Sequence, residues 1–381
     1  MLRLLAIISG VTAANIYYNQ PLLESFRLSF PQSAHWIGAV PAATQLGYAV
    51  GMFLLAPLGD RIDRKLIILM QIAGLAVALA FAATAPSLFA LGCASLAIGV
   101  LATIVQQAVP FAADLAPPSE RGHAVGTVMS GMFLGVLLAR TAAGFVGEYF
   151  GWRTVFGASV VSLIVLAVVV FFRLPNSKPT SMLSYGKLLG SMWHLALELR
   201  VLRVASLSGG AVFAAFSVFW SVLTFLLAGP PFHLGPQAAG LFGIVGAAGA
   251  FVAPVVGRLS DRRGPGTIIT LSVALVAISF IELAFSTSIA ALVVGVIVLD
   301  VGVQAALIAN QSRIYALKPE ARSRLNTVFL VCYFIGGAVG SAIGVAAWRH
   351  FGWTGVCVAG VLLAALAGWV HSRPEPALAS N

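Results

Sequence analysis

Gly257-Arg258-Leu259-Ser260-Asp261-Arg262-Arg263-Gly264 lies between two apolar runs. Gly59-Asp60-Arg61-Ile62-Asp63-Arg64-Lys65 lies between two others, 198 residues earlier. A second pair, Phe150-Gly151-Trp152 and Phe351-Gly352-Trp353, recurs at an offset of 201. Two unrelated landmarks with nearly one offset indicate two homologous halves of about six spans each.

Hydrophobic residues make up 60% of the chain and charged residues 9%, and the mean hydropathy is +0.98. Such a composition excludes an ordinary soluble domain. A bilayer-crossing helix needs roughly 20 mainly apolar residues. Twelve such stretches stand near 4–23, 36–57, 66–85, 88–115, 122–146, 153–173, 204–228, 236–257, 266–286, 289–316, 323–347 and 352–371. The connections are mostly too short for an aqueous domain. The expected fold is therefore all-α and integral to the membrane, with twelve transmembrane helices in two pseudo-symmetric six-helix bundles at 1–175 and 204–381. Residues 176–203 form a cytoplasmic linker, in which Leu188, Met192, Leu195, Leu199 and Leu202 recur at the spacing of an amphipathic surface helix.

The net charge of +10 has a strong sidedness. If the N-terminus is cytoplasmic, 17 of the 22 Lys and Arg fall on that side and only Arg27, Arg153 and Arg349 on the other. This is the positive-inside pattern, and it places both termini in the cytoplasm. Short scattered loops offer no basic aqueous face, which argues against a nucleic-acid partner. The first apolar run has no small-residue cleavage site and reads as a span, not a removable signal. Cys93, Cys332 and Cys357 lie inside apolar spans as small packing residues. The six histidines are dispersed without a paired metal spacing. Neither a cofactor nor a metal is expected, and a membrane enzyme or a receptor with a soluble output domain finds no support.

Small residues form ladders on two spans: Gly131, Gly135, Ala139, Ala143 and Gly147 on the fifth, and Gly336, Gly340 and Gly344 on the eleventh. At the 201 offset Gly135 matches Gly336, Ala139 matches Gly340 and Ala143 matches Gly344. Such ladders let helix backbones touch in lipid. Static packing is one reading; their symmetric placement favours a rocking seam between the halves.

On Gly59, Asp63, Arg64 and Lys65, and on Gly257, Asp261, Arg262 and Gly264, the chain resembles the major facilitator superfamily of transporters over essentially its whole length. The second loop fits that family's G-x-x-x-D-R-x-G pattern. The first departs from it, with Leu66 in place of the later glycine and Ile67 where a basic residue is usual. The resemblance implies transport by alternating access between repeated halves around a central site. It also implies that these loops latch the outward-facing state by holding the cytoplasmic gate closed. Asp63 can face a positive helix N-terminus, and Arg64 or Lys65 can pair with Asp114 at the end of the fourth span. Topology-setting loop charge is the plainer reading, and both can hold together. The segments 15–22 and 310–315 further resemble a bacterial branch near drug, sugar and nucleoside efflux proteins.

Ionisable groups inside apolar spans are costly and point to function. Asp300 lies near the middle of the tenth span. Gln304 and Gln311 share its face, with about 16 Å of rise between Asp300 and Gln311. An acid in low-dielectric surroundings favours its neutral form, which suits a proton carrier; a structural acid bonded to neighbouring helices is the alternative. Arg140 on the fifth span fits either an anchor for an anionic solute group or a buried ion pair with Asp300 or Glu282. Asn15, Tyr18 and Asn19 share a face of the first span, with Tyr17 and Gln20 beside them, and would line a cavity. Interhelical hydrogen bonding is the alternative for each.

The combined expectation is a proton-coupled exporter of a small organic solute, with importer or uniporter as rivals on the same fold. Its partners are the solute, protons and membrane lipid, and one chain suffices as a functional monomer. Asp300 exchanges the proton, and Asn15, Tyr18, Asn19, Arg140, Gln304 and Gln311 line the cavity. Gly59, Asp63, Arg64, Lys65 and Asp114 form one side of the latch, and Gly257, Asp261, Arg262 and Gly264 the other.

Overall fold

The computed structural model describes residues 1–177, 184–246, 248–318 and 321–373. Of the expected linker, 178–183 lie outside the described residues. Among those described there is no strand, as a lipid-immersed chain requires, because a helix satisfies its backbone polar groups internally. The first half of the sequence supplies α1 (Leu2–Ala14), α2 (Asn19–Ser29), α3 (Ala39–Leu55), α4 (Arg64–Ala83), α5 (Leu88–Leu101), α6 (Val105–Leu115), α7 (Arg121–Phe150) and α8 (Trp152–Arg173). The linker holds α9 (Tyr185–Glu198). The second half supplies α10 (Arg200–Trp220), α11 (Leu223–Ala228), α12 (Pro236–Gly246), α13 (Ala248–Arg263), α14 (Pro265–Ala284), α15 (Ile289–Tyr315) and α16 (Arg322–His371).

Nine helical segments among the described residues are long and apolar enough to cross a membrane. The longest, α16, is divided by Gly352, whose φ of 61° and ψ of −153° are not helical. Three expected spans, 4–23, 88–115 and 204–228, are each built from two shorter helices, α1 with α2, α5 with α6 and α10 with α11. The first break precedes Pro21, which has no N–H to donate and whose ring crowds the carbonyl of Tyr17. Residues 15–18 accordingly form turns, not helix.

The repeated Phe-Gly-Trp has a physical cause. Gly151 (φ 81°) and Gly352 (φ 61°) both turn the chain through the positive-φ region open to glycine. The tryptophan after each pins the turn to its own half: Trp152 Nε1 donates to Ser29 Oγ at 2.9 Å, and Trp353 Nε1 donates to the Leu283 carbonyl at 2.9 Å. A third landmark at the same offset is Ser87 and Ser288, each the N-cap of its helix, accepting from Ala90 N and Ala291 N at 3.2 Å. Replacing Gly352 by Ala puts a Cβ on a backbone that side chains avoid. It should cost about 1–3 kcal/mol, read as a lowered thermal midpoint in detergent, whereas Ala at the helical, open Gly157 leaves the midpoint unchanged.

The glycine ladders pack inside each half of the chain. A Cβ on Gly10 of α1 would lie 2.6 Å from the Gly131 carbonyl oxygen of α7, and one on Gly135 would overlap the Gly10 backbone. In the second half a Cβ on Gly340 of α16 would lie 2.6 Å from Ala214 Cα of α10, and one on Gly344 2.7 Å from the Val218 carbonyl oxygen. At these positions the close approach lies within each half, not between the halves where the rocking seam is expected. α10 is almost wholly buried, as its small residues Ser208, Gly209, Gly210, Ala211, Ala214 and Ala215 permit.

The linker helix α9 is tied to both halves. Tyr185 OH donates to the Leu54 carbonyl at 2.6 Å, and Lys318 Nζ donates to Glu198 Oε1 at 2.8 Å. The hydrogen bond from Lys318 holds the Glu198 carboxyl below the usual carboxylate range. A depressed acid contributes its contact above its ordinary titration and loses it as pH falls through the lowered value. Protection of the α9 amides, taken relative to their intrinsic exchange rate at each pH, should therefore fall on acidification, and Lys318→Ala should remove that dependence.

Candidate transport site

Two seams join the first half of the chain to the second. In one, α3 lies on α16: a Cβ on Gly38 would meet Val345 Cβ at 2.8 Å, Gln45 Nε2 donates to Ser341 Oγ at 3.1 Å, and the Tyr48 and Phe334 rings are 4.5 Å apart. In the other, α12 lies on α7: a Cβ on Gly144 would meet the Pro236 carbonyl oxygen at 2.5 Å, and Thr141 Oγ1 donates to the Gly240 carbonyl at 3.0 Å. The 201 offset carries α3 onto α12 and α7 onto α16, so the seams are copies of each other. Thr224 Oγ1 also donates to the Pro21 carbonyl at 3.3 Å, and Tyr149 OH to Gln237 Oε1 at 3.2 Å. These contacts join the molecule at the end that carries Arg27 and Arg349, where a cleft of about 610 Å³ lies between the halves.

The copies differ in charge. Where the first seam has the neutral Gln45–Ser341 hydrogen bond, the second has Arg140 against Gly243, whose Cβ would stand 2.8 Å from Arg140 Cβ. Arg140 is 5% exposed, and its Nε donates to Gln20 Oε1 at 2.8 Å. Its guanidinium carbon lies 4.0 Å from the Trp220 ring centroid, 4.7 Å from that of Tyr17 and 5.8 Å from that of Phe216. Each such face offsets about 0.5–2 kcal/mol of the cost of burying the cation. Asp300 is also 5% exposed, and it and Arg140 lie in each other's field. A Cβ on Gly246 would be 3.0 Å from Trp220 Cζ2 and 3.2 Å from Asp300 Oδ1, so only glycine lets α12 approach both. Arg140 Nη2, Trp220 Nε1 and Asp300 Oδ2 are buried without a hydrogen-bond partner. The crevice bounded by Gln20, Arg140, Trp220, Leu223, Thr224 and Ala239 is too tight for a water molecule.

The other candidates are placed as follows. Asn15 accepts from Ser159 Oγ at 2.7 Å and Asn19 donates to Thr44 Oγ1 at 2.8 Å, both within the first half. Tyr18 is half-buried and interacts with Ser159. The turns at 15–18 aim their neighbours Tyr17 and Gln20 at Arg140 instead. Gln304, one turn from Asp300, is half-buried, and Gln311 Nε2 donates to Asn326 Oδ1 on α16 at 3.0 Å. Glu282 accepts from Ser286 Oγ at 2.9 Å, just past the end of its own helix.

In the first of the two repeated charged loops Asp63 is the N-cap of α4. It accepts from Lys65 N at 2.9 Å and from Ser177 N at 2.9 Å. Arg64, nearly buried, pairs with Asp114, and Lys65 Nζ stands 5.7 Å from the Phe171 ring centroid. A Cβ on Gly59 would meet the Gln107 side-chain amide. The second loop is built differently: α13 continues to Arg263, and Gly264 (φ 81°) makes the turn into α14. This accounts for Leu66 at the matching position, since an Asp N-cap needs no positive-φ residue. Gly257 has open space about its Cα and Arg262 is exposed. The side chain of Asp261 lies outside the described residues.

The model of the Major Facilitator Superfamily matches residues 4–315 and 207–381, which together cover almost the entire chain. The chain belongs to that superfamily. It is 40% identical over 365 residues to an uncharacterized transporter, YgaY, of Escherichia coli O157:H7, covering 96% of this chain and 93% of that one. It is 27% identical over 349 residues to the multidrug resistance protein MdtG of Dickeya zeae, covering 89% and 85%. The crystal structure of a mutant of the nucleoside transporter NupG superposes with a TM-score of 0.79 at 14% identity, covering 97% and 98%. That likeness shows the fold. Membership makes the protein a membrane transporter of small solutes, not an enzyme.

Within this superfamily fold the sequence singled out Arg140 and Asp300, and the structure brings them together. It did not single out Trp220, Phe216, Gly243 or Gly246. Trp220 is one of several aromatic residues at the end of α10, and glycines are frequent everywhere in the chain. The retrievable signal was the offset: Gly246 stands where the first half has Gln45, and Asp300 where it has Gly99.

Proposed function

We propose that the protein exports a small organic solute across the cytoplasmic (inner) membrane in exchange for protons. It acts as a monomer surrounded by lipid, with both termini in the cytoplasm. The supporting observation is the buried Arg140 and Asp300 beside the α7–α12 seam, each with an unsatisfied atom. Two costly charges on one copy of a repeated seam, and none on the other, suit a place where solute and proton are read. Asp300 exchanges the proton. Arg140 meets the solute, with Asn15, Tyr18, Asn19, Gln304 and Gln311 along the path as the halves separate.

Solute and proton bias two states by binding them unequally; equal affinity would drive nothing. The loops Gly59–Lys65 with Asp114, and Gly257–Gly264, latch the cytoplasmic gate in the opposite state. The likeness to MdtG favours export. Solutes retained by cells lacking the protein identify the cargo. Membrane vesicles with the cytoplasmic face outward and an acidic lumen should then concentrate that solute several-fold and release it when the gradient collapses. Accumulation indifferent to the gradient overturns the coupling.

A further inference from the structure

The three orphaned atoms of the seam differ in kind. Arg140 Nη2 and Trp220 Nε1 are donors, and Asp300 Oδ2 is an acceptor. They are also close together. The Trp220 ring centroid is 4.0 Å from the guanidinium carbon. Trp220 Cζ2 and Asp300 Oδ1 lie 3.0 and 3.2 Å from one point above Gly246, hence at most about 6 Å apart. The spacing is that of one small molecule, for which the closed crevice opens room only as the halves separate. Leaving a buried charged group's hydrogen bond unmade is expensive, and each of these sites leaves one unmade.

We propose that the ligand of this site is a zwitterion of amino-acid type. Its carboxylate is held by Arg140 Nη2 and Trp220 Nε1, its ammonium by Asp300 Oδ2, and its apolar body by Tyr17, Phe216 and Tyr333.

Charge balance decides between ligand classes. Arg140 and Asp300 already offset each other, so a zwitterion enters without changing the net charge of a low-dielectric site. A lone anion would leave Asp300 facing added negative charge, and a lone cation would leave both donors unfilled. A neutral solute would fill the bonds and forgo the charge-assisted part of each. The walls are aromatic: besides the rings about Arg140, Tyr333 stacks on Phe213 at 4.0 Å and Phe213 on Phe216 at 5.3 Å. A ligand with an apolar body next to its charged head fits that lining.

The inference rests on this seam being the transport site. Its test is binding to the purified full chain in detergent with no gradient, by calorimetry and thermal shift. The probes are L-leucine and L-phenylalanine, compared with 3-phenylpropanoate, which lacks the ammonium, and phenethylamine, which lacks the carboxylate. Phenylalanine should bind at least about tenfold more tightly than either analogue, the ratio set by one charged hydrogen bond. Asp300→Asn should erase the discrimination against 3-phenylpropanoate, and Arg140→Gln that against phenethylamine. Trp220→Phe keeps the ring against Arg140 and should weaken the amino acid severalfold, which guards against misfolding of the Arg140 variant. If neither amino acid binds, if an analogue binds equally, or if discrimination survives Asp300→Asn, the zwitterion assignment is wrong. Binding of phenylalanine without gradient-driven flux would overturn the exporter reading alone. Gradient-driven flux of another solute with no amino-acid binding would overturn this one alone.

Discussion

Asp300→Asn should reduce gradient-driven accumulation of the solute to the level of protein-free liposomes while the protein remains folded. The amide keeps the shape of the carboxyl but cannot release and recapture a proton. One pH unit is worth about 1.4 kcal/mol per proton, so a one-to-one exchanger concentrates its solute about tenfold per unit. The variant should concentrate it not at all. Asp300 Oδ2 holds no hydrogen-bond partner whose bond would be lost, and a neutral amide is cheaper to bury than a charge, which offsets part of the cost of leaving Arg140 without its counter-charge. Thermal unfolding in detergent, run beside the flux assay, separates lost coupling from lost fold. A variant that unfolds, or one that still accumulates solute, contradicts the role given to Asp300.

The largest effect on the fold is expected from Gly135→Leu. A Cβ at that position overlaps the backbone of Gly10, and backbone cannot rotate out of the way as a side chain would. Inserting bulk into a packed interior costs about 1–3 kcal/mol and more when nothing yields. The variant should therefore lose about 3 kcal/mol or more, or fail to accumulate in the membrane. Gly157→Leu is the control: nothing stands within 4 Å of a Cβ there, and its effect should be small. Equal stability of the two variants would mean that α1 and α7 are not in close contact.

The fold was legible because its landmarks do local work. Phe-Gly-Trp repeats since each copy needs a positive-φ glycine and an indole donor to turn one helix into the next. Of the two repeated charged loops, the first uses its aspartate as a helix cap, Asp63 at the start of α4. Arg140 and Asp300 were legible for the opposite reason: a charge in an apolar run has no cheap explanation. What escaped was whatever depended on direction around a helix axis. Asn15, Tyr18 and Asn19 share a face only if the helix is unbroken, and the turns before Pro21 break it. The glycine ladders announced close approach without naming the partner, and the partner lies in the same half. Gly243 and Gly246 matter only because Arg140, Trp220 and Asp300 meet across them, which no local pattern encodes.

On the proposed function the two seams divide the work. Gln45 and Ser341 hold one by a neutral hydrogen bond, and Arg140, Asp300 and Trp220 occupy the other with unfilled bonding capacity. A frame that closes twice, once inertly and once over charge, can move as a symmetric body and still read its cargo at one place.

Exchange of solute for protons is tested most directly by letting the solute move the protons. Proteoliposomes with equal pH on both sides and a trapped pH dye are given a solute gradient across their membrane. The lumen should acidify when solute flows outward and alkalinise when it flows inward, and Asp300→Asn should abolish both changes. Solute that runs down its gradient in the wild type with no accompanying proton movement would contradict proton-coupled export.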